Sequence, residues 1–334
     1  MTHRYLVTGA QGFIGRHLVC HLLAHFPQST VLGVGRSPQQ DSSFSYPMNC
    51  GGRLVPAVLP QYLRNAVGPR YRYVAADLTS LYFADTIREF CPTKVIHLAA
   101  ALRGVPDETL FRNNVQGTAS LLHAIRHCGI EMILFASSGG VYGNQYTLPI
   151  EETAVVQPLD SYSRSKLASE DLIQQFATRT GIPTTIARIF NVCGPGQDDL
   201  HFAGRIANQI ASILANKSEA VVRVGSLSST RDFLDVRDVC QGLAAILASN
   251  HKGVCNVGSG SETNVGDFLG LFLDFAGLNE GVRIDIDVTR IDAIPRQVAN
   301  ISRLAKTGFI LKHSLTCSCQ EMLAYCNQYV YGAT

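Results

Sequence analysis

Arg4-Tyr5-Leu6-Val7-Thr8-Gly9-Ala10-Gln11-Gly12-Phe13-Ile14-Gly15-Arg16 decides the reading of this chain. A short apolar run ends at Thr8, three glycines follow at G-x-x-G-x-x-G spacing, and Ile14, Leu18 and Leu22 then share one face of a helical pattern. Strand, glycine turn and helix N-terminus in that order predict a dinucleotide site. Glycines let backbone come close to a pyrophosphate, while unpaired N–H groups and the positive end of the helix dipole face its charge. A glycine pattern alone also fits an ordinary tight turn, so the order of the elements carries the expectation.

Working outward, short β-rich runs recur at 5–7, 31–34, 71–75, 94–98, 132–136 and 184–189 with helical or loop segments between them. That alternation predicts an α/β fold, a Rossmann-type doubly wound parallel sheet with helices on both faces. Residues 37–69, with Pro38, Pro47, Gly51, Gly52, Pro56 and Pro60, read as a long loop carrying one short helix near 61–66. After Asn191 the rhythm changes. Helices are expected near 202–216, from 265 and near 316–325, with short strands at 221–224, 254–257 and 283–287. The division expected is a dinucleotide-binding domain at 1–190, with returns around 228–258, and a smaller α/β lobe at 191–227 and 259–330. A cleft between them is where a second ligand would bind.

The 334 residues are 46% hydrophobic and 16% charged, enough for a sizeable core. No run of eighteen apolar residues exists to span a bilayer, so no membrane partner is expected. Met1 to Arg4 lead straight into the first strand, and a cytoplasmic location is the expectation. A net charge of +2 makes nucleic acid an unexpected partner. Ten scattered cysteines lack paired C-x-x-C spacing, which points to reduced, packed thiols and no metal.

Tyr162-Ser163-Arg164-Ser165-Lys166 opens a helix that stops at Gly181 and Pro183, and four-residue spacing puts Tyr162 and Lys166 on one face. An ammonium beside a phenol favours the phenolate and lets it serve as general acid or base, although the same pair is common on exposed helices. Phe135-Ala136-Ser137-Ser138-Gly139-Gly140 follows a buried-looking strand, so its hydroxyls fall at the carboxyl end of the sheet, where open α/β proteins bind ligands.

With these three features in order, the chain resembles the extended short-chain dehydrogenase/reductase family of nucleotide-sugar epimerases, dehydratases and reductases, from Arg4 to about Tyr325. The resemblance implies Ser138, Tyr162 and Lys166 as the catalytic set. It implies cofactor contacts from Gly9, Gly12, Phe13, Ile14 and Gly15, from Asp77 and Leu78 at the adenine, from the turn Leu98, Ala99 and Ala100 after His97, and from Asn114. It implies Ser137, Asn191, Arg231, Arg290 and Gln297 on the side of a nucleotide-sugar substrate, Arg231 gripping a diphosphate through its planar fork. Asp238 reads as a helix cap. Helices near 107–127 and 161–180 stand where many relatives form a four-helix homodimer interface.

Dehydratases of this family carry an acid two residues after the active-site Ser or Thr, and here that position is Gly140. The second strand ends Gly33-Val34-Gly35-Arg36 without the acid that binds the adenosine 2′-hydroxyl of NAD, so NADP(H) is preferred, with Arg36 at its phosphate and NAD(H) as the alternative. The passages 191–197 and 224–238 look most like the GDP-4-keto-6-deoxymannose reductases, with Ala293 a departure from the usual Arg-Pro-x-Asp-x-Pro phrase. The expectation is therefore a nucleotide-sugar 4-ketoreductase. A 4-epimerase with tightly held NAD is the alternative, and a non-catalytic dinucleotide-sensing protein is a remoter one.

Overall fold

Val, Ile and Leu crowd the runs that build the central sheet, because parallel strands are buried on both faces. In the computed structural model, which describes residues 3–38, 46–66, 68–287, 289 and 293–332, seven strands pair. They are β1 (Arg4–Thr8), β2 (Thr30–Gly35), β5 (Tyr71–Ala75), β6 (Lys94–His97), β7 (Met132–Ser138), β8 (Thr184–Ile189) and β13 (Gly253–Val257). Their order is β13-β8-β7-β6-β1-β2-β5, and every neighbouring pair is parallel. The direction of winding reverses at β1, which opens a crevice at the carboxyl ends of β1 and β6.

Side-chain alternation divides the core between the two faces. Val7, Leu134 and Ala187 point toward α1 (Phe13–His25) and α7 (Val236–Ser249). Leu6, Ile133, Phe135 and Ile186 point toward α2 (Leu81–Phe90), α4 (Gly117–Ile125) and α5 (Ser161–Thr180). The helix α3 (Asp107–Phe111) runs into α4 through a π turn over Arg112–Gln116.

Where a loop was expected, residues 46–57 form an antiparallel hairpin of β3 (Tyr46–Cys50) and β4 (Arg53–Ala57), followed by a 3-10 turn at Gln61–Ala66. Prolines argue against strands, but here Pro47 faces Pro56 in a two-stranded ribbon that has room for missing donors. Gly51 and Gly52, both at positive φ, supply its two-residue turn. Met48, Cys50 and Ala57 pack on Tyr325, and Asp199 accepts from the Gly51 N–H.

The rest is made of short pieces. β9 (Asn191–Cys193) pairs with β12 (Phe233–Asp235), and β10 (Val221–Val224) with β15 (Arg283–Ile286). β11 (Thr230–Arg231) lies between β14 (Thr263–Asn264) and β16 (Arg296–Gln297). Helices α6 (Phe202–Leu214), α8 (Val265–Ala276) and α10 (Leu315–Cys326) share a separate core with these strands, in which Phe233 and Phe268 stack at 4.1 Å. The short α9 (Ser302–Ala305) packs beside β13. Among the described residues, no helix is long and apolar enough to cross a membrane.

Candidate active site

Gly9 sits at φ +71°, and a Cβ there would lie 2.8 Å from the Ala99 nitrogen. A Cβ on Gly15 would lie 2.0 Å from the Gly9 carbonyl oxygen. Only glycine lets β1, the turn after β6 and the first turn of α1 meet at this spacing. Gly12 caps α1 with no side-chain acceptor, and no acid occupies the first turn. The N–H groups around Phe13, Ile14 and Gly15 therefore keep their donor capacity and the positive helix end is unneutralised, which fits a pyrophosphate.

The crevice is stiffened from beneath. Thr8 Oγ1 lies 2.7 Å from His97 Nδ1, His97 Nε2 lies 2.9 Å from Thr118 Oγ1, and the Ala99 N–H reaches Thr8 Oγ1 at 3.3 Å. Burial, helped by Lys166, lowers the His97 pKa to about 3, so the ring is neutral and joins two hydroxyls. Leu98 and Ala100 flank Ala99 on the same turn, half-buried. Asp77 accepts from the Thr79 N–H and hydroxyl at 2.9 and 2.6 Å, and these bonds lower its pKa, with Arg36 and Arg112 assisting. Leu78 packs over Gly117. Arg36 is exposed, while Gly35 gives way to the Tyr73 hydroxyl, 2.9 Å from where a Cβ would stand.

Asp160 caps α5, accepting from the Ser163 N–H at 2.7 Å, and so sets the first turn that carries Tyr162. Ser138, at the carboxyl end of β7, accepts from the Gly140 N–H at 3.1 Å, and its hydroxyl stands near enough to Tyr162 to lower the phenol's pKa. Burial raises the Tyr162 pKa, whereas the Arg103 cation and the Ser138 hydroxyl oppose it. Lys166 lies one turn further on, its ammonium 4.3 Å from the centroid of Phe135. Burial lowers its pKa to about 7, with Glu170 pulling the other way. Asn114, on the π turn, donates to Ser165 Oγ at 2.8 Å and to the Ala101 carbonyl at 3.1 Å, and Ser165 in turn donates to the Tyr162 carbonyl at 2.7 Å. A π turn re-aims one side chain out of a regular helix, and here that side chain joins the turn after β6 to the tyrosine helix.

Ser137 is not with this group. Strand alternation turns it inward, where it donates to Glu170. Glu170 also takes Arg188 Nε and Nη2 at 3.1 and 2.7 Å in an ion pair whose side chains are 1% and 6% exposed. Arg188 lies over the Tyr142 ring, whose hydroxyl donates to Asn256 at 2.7 Å. Glu170 stands four residues after Lys166, a spacing from which the sequence reading could have found it. Arg103 had no such signal.

From β16, Gln297 is buried and donates to the Gly139 carbonyl at 3.1 Å, against the Ser138 turn. Arg231 is its register partner and donates to the Thr230 carbonyl at 2.8 Å. Asn191 is tied back to the Asp232 carbonyl at 3.2 Å. Arg290 lies outside the described residues. The cap of α7 is Asp235, which takes the Arg237 N–H at 2.8 Å, and not Asp238. Asp238 lies one turn inside, where it accepts the N–H groups of Lys312 and His313. Among the described residues, no group of three His, Cys, Asp or Glu side chains is arranged to hold a metal ion, and the ten cysteines are free.

A doubly wound sheet with a glycine turn at its switch point and a Ser–Tyr–Lys group beside it defines a dinucleotide-dependent enzyme scaffold. The model of the NAD dependent epimerase/dehydratase family matches residues 5–258, and the chain belongs to that family. It is 33% identical over 287 residues to the GDP-6-deoxy-D-mannose reductase of Pseudomonas aeruginosa, covering 83% of this chain and 81% of that one. The structure of RMD from Pseudomonas aeruginosa complexed with NADPH superimposes with a TM-score of 0.78 at 28% identity, over 98% of this chain and 99% of that one. The UDP-glucose 4-epimerase of Thermus thermophilus in complex with NAD gives 0.78 at 27% identity, over 96% and 98%.

Proposed function

We propose that this chain is an NADP(H)-dependent oxidoreductase acting on a nucleotide-diphosphate sugar, reducing the 4-keto group of an NDP-4-keto-6-deoxyhexose. The observation that carries the reading is the pairing of Ser138, at the carboxyl end of β7, with Tyr162, whose pKa it lowers, on the edge of the sheet that also carries the glycine turn. Two hydroxyls so paired would converge on one sugar oxygen. Tyr162 would supply its proton, and Ser138 would hold the carbonyl in line. When bound at Gly9, Gly12 and Gly15, the nicotinamide cofactor supplies the hydride. Lys166 and Asn114 orient the tyrosine turn and the cofactor ribose.

Gly35 in place of an acid, with Arg36 and Arg112 acting on Asp77, favours a 2′-phosphate and hence NADP(H). Arg231 and Gln297, paired in register, support a diphosphate-linked sugar held by residues 191–227 and 259–330, with 1–190 and the returns at 228–258 holding the dinucleotide. Gly140 leaves no acid for dehydration. Helical segments at 107–127 and 161–180 support a homodimer, and a cytoplasmic location accords with ten unpaired cysteines.

A second reading, a 4-epimerase with retained NAD, is favoured by the likeness to the Thermus enzyme. Denaturing the purified protein and identifying what it releases separates the two. The ketoreductase releases no stoichiometric NAD and oxidises NADPH when given GDP-4-keto-6-deoxymannose, and Tyr162→Phe lowers that rate by about 10²- to 10⁴-fold. Stoichiometric NAD with no NADPH oxidation on GDP-, dTDP- or UDP-linked 4-keto sugars overturns the reading.

A further inference from the structure

The bare Gly140 lets a guanidinium come close to the site. A Cβ built there would stand 3.0 Å from Arg103 Nη2, 2.6 Å from Ser163 Oγ and 3.3 Å from Ser138 Oγ. Arg103 comes from the loop after β6, an element that carries none of Ser138, Tyr162 and Lys166. Its Nε and Nη2 both donate to Asp160 Oδ2, at 3.0 and 2.9 Å, and Nη2 also reaches Ser163 Oγ at 3.2 Å. Those anchors stand at the start of α5, and they hold the guanidinium carbon 4.6 Å from the centre of the Tyr162 ring. An arginine over a tyrosine face is attracted by the ring and by any negative charge that develops on its oxygen.

We propose that Arg103 is a positioning residue that fixes the Tyr162 ring and stabilises its phenolate, giving the proton-transfer group a permanent cation from outside its own helix. The inference rests on the reading of Tyr162 as the acid–base group. Lys166 is less suited to that part alone. Its ammonium is turned to Phe135 and its pKa sits at about 7, so its charge is only partial at neutral pH, whereas a guanidinium stays charged.

The groups facing Tyr162 act in opposing senses. Asp160 raises its pKa, and Ser138 and Arg103 lower it. Lys166 and Glu170 follow on the same helix, with neutral His97 of β6 behind Lys166. His201 faces Arg103 as well: burial lowers its pKa, Arg103 and Arg205 lower it further and Asp198 opposes them. Removing Arg103 withdraws a cation and at the same time leaves Asp160 unneutralised, and both changes push the phenol the same way.

The test follows the Tyr162 phenol directly, by ¹³C NMR of ring-labelled tyrosine in the full chain with NADP⁺ added, using Tyr162→Phe to assign the resonance. In Arg103→Met the titration moves up by about one pH unit. Arg103→Gln, which keeps polar contacts without charge, serves if the methionine variant does not fold, and shows the same upward shift. Arg103→Lys restores most of the wild-type value, and Arg103→Met with Asp160→Asn falls between. In the oxidative direction, kcat of Arg103→Met drops about tenfold at pH 7 and recovers as the pH is raised, which a misfolded site would not do. An unchanged Tyr162 titration in both uncharged variants overturns the inference while leaving the proposed reaction standing. Full activity of Tyr162→Phe overturns the reaction and leaves the titration readable.

Discussion

Two buried carboxylates, Glu170 behind the site and Asp232 at the border of the smaller lobe, are satisfied in different ways. Behind Ser138 and Lys166, Glu170 and Arg188 pair side chain to side chain within the core, while His17 and His97 are buried neutral. At the border with the lobe, Asp232 is met mainly by backbone. Asp232 takes the N–H groups of Ser259, Gly260 and Ala299, which oppose the rise in its pKa caused by burial, and ion pairs such as Arg296–Glu262 stand at the rim. Paired and neutral groups between packed strands and helices give a stiff platform that holds proton-transfer atoms in place. Turns pinned by single carboxylates can change length and still close, which suits a surface that must fit one sugar nucleotide among many.

That contrast can be broken most forcefully at Glu170. Glu170→Gln leaves Arg188 as an uncompensated buried cation, and urea unfolding should show a loss of about 3–5 kcal/mol. A loss below 1 kcal/mol would mean that the platform does not depend on this pair. Next in size is acid sensitivity. Burial lowers the pKa values of His17 and His97 from 6.5 to about 3. A histidine with a depressed folded-state pKa contributes stability that is full above 6.5 and declines as the pH falls toward 3, because the unfolded chain takes the proton first. At pH 5 each should cost about 2 kcal/mol, and His17→Gln should flatten the pH dependence of the urea midpoint between 6 and 4. The smallest effect belongs to the lobe rim. Glu262→Gln should leave the melting temperature nearly unmoved at 0.15 M salt, since exposed pairs are screened. A drop as large as that of Glu170→Gln would erase the distinction.

Legibility followed distance along the chain. The β1–α1 glycine turn, the six runs named as strands and the Tyr162–Lys166 helix could be read because each rests on periodicity or spacing within about twenty residues. The 46–57 hairpin could not, since its prolines carry the composition of a loop and its stability comes from Tyr325 and Asp199, far along the chain. Ser137 and Ser138 are equal in sequence, and one step of strand alternation sends the first into the core and the second to the site. Asp235 displaced Asp238 as the cap of α7 because the helix begins a turn earlier than its apolar pattern suggests. Arg103 left no local trace, for its partners Asp160 and Ser163 lie more than fifty residues away.

By itself the sequence determined that a parallel sheet would form, where its glycine turn would lie, and that a phenol and an ammonium would share a helix face. These follow from steric limits on neighbouring residues and from side-chain periodicity. Tertiary structure alone decided which charges would surround that phenol, which serine would face it, and how hairpin and lobe would close on each other. Such choices depend on contacts between distant segments, whose energies exist only once the chain has brought those segments together.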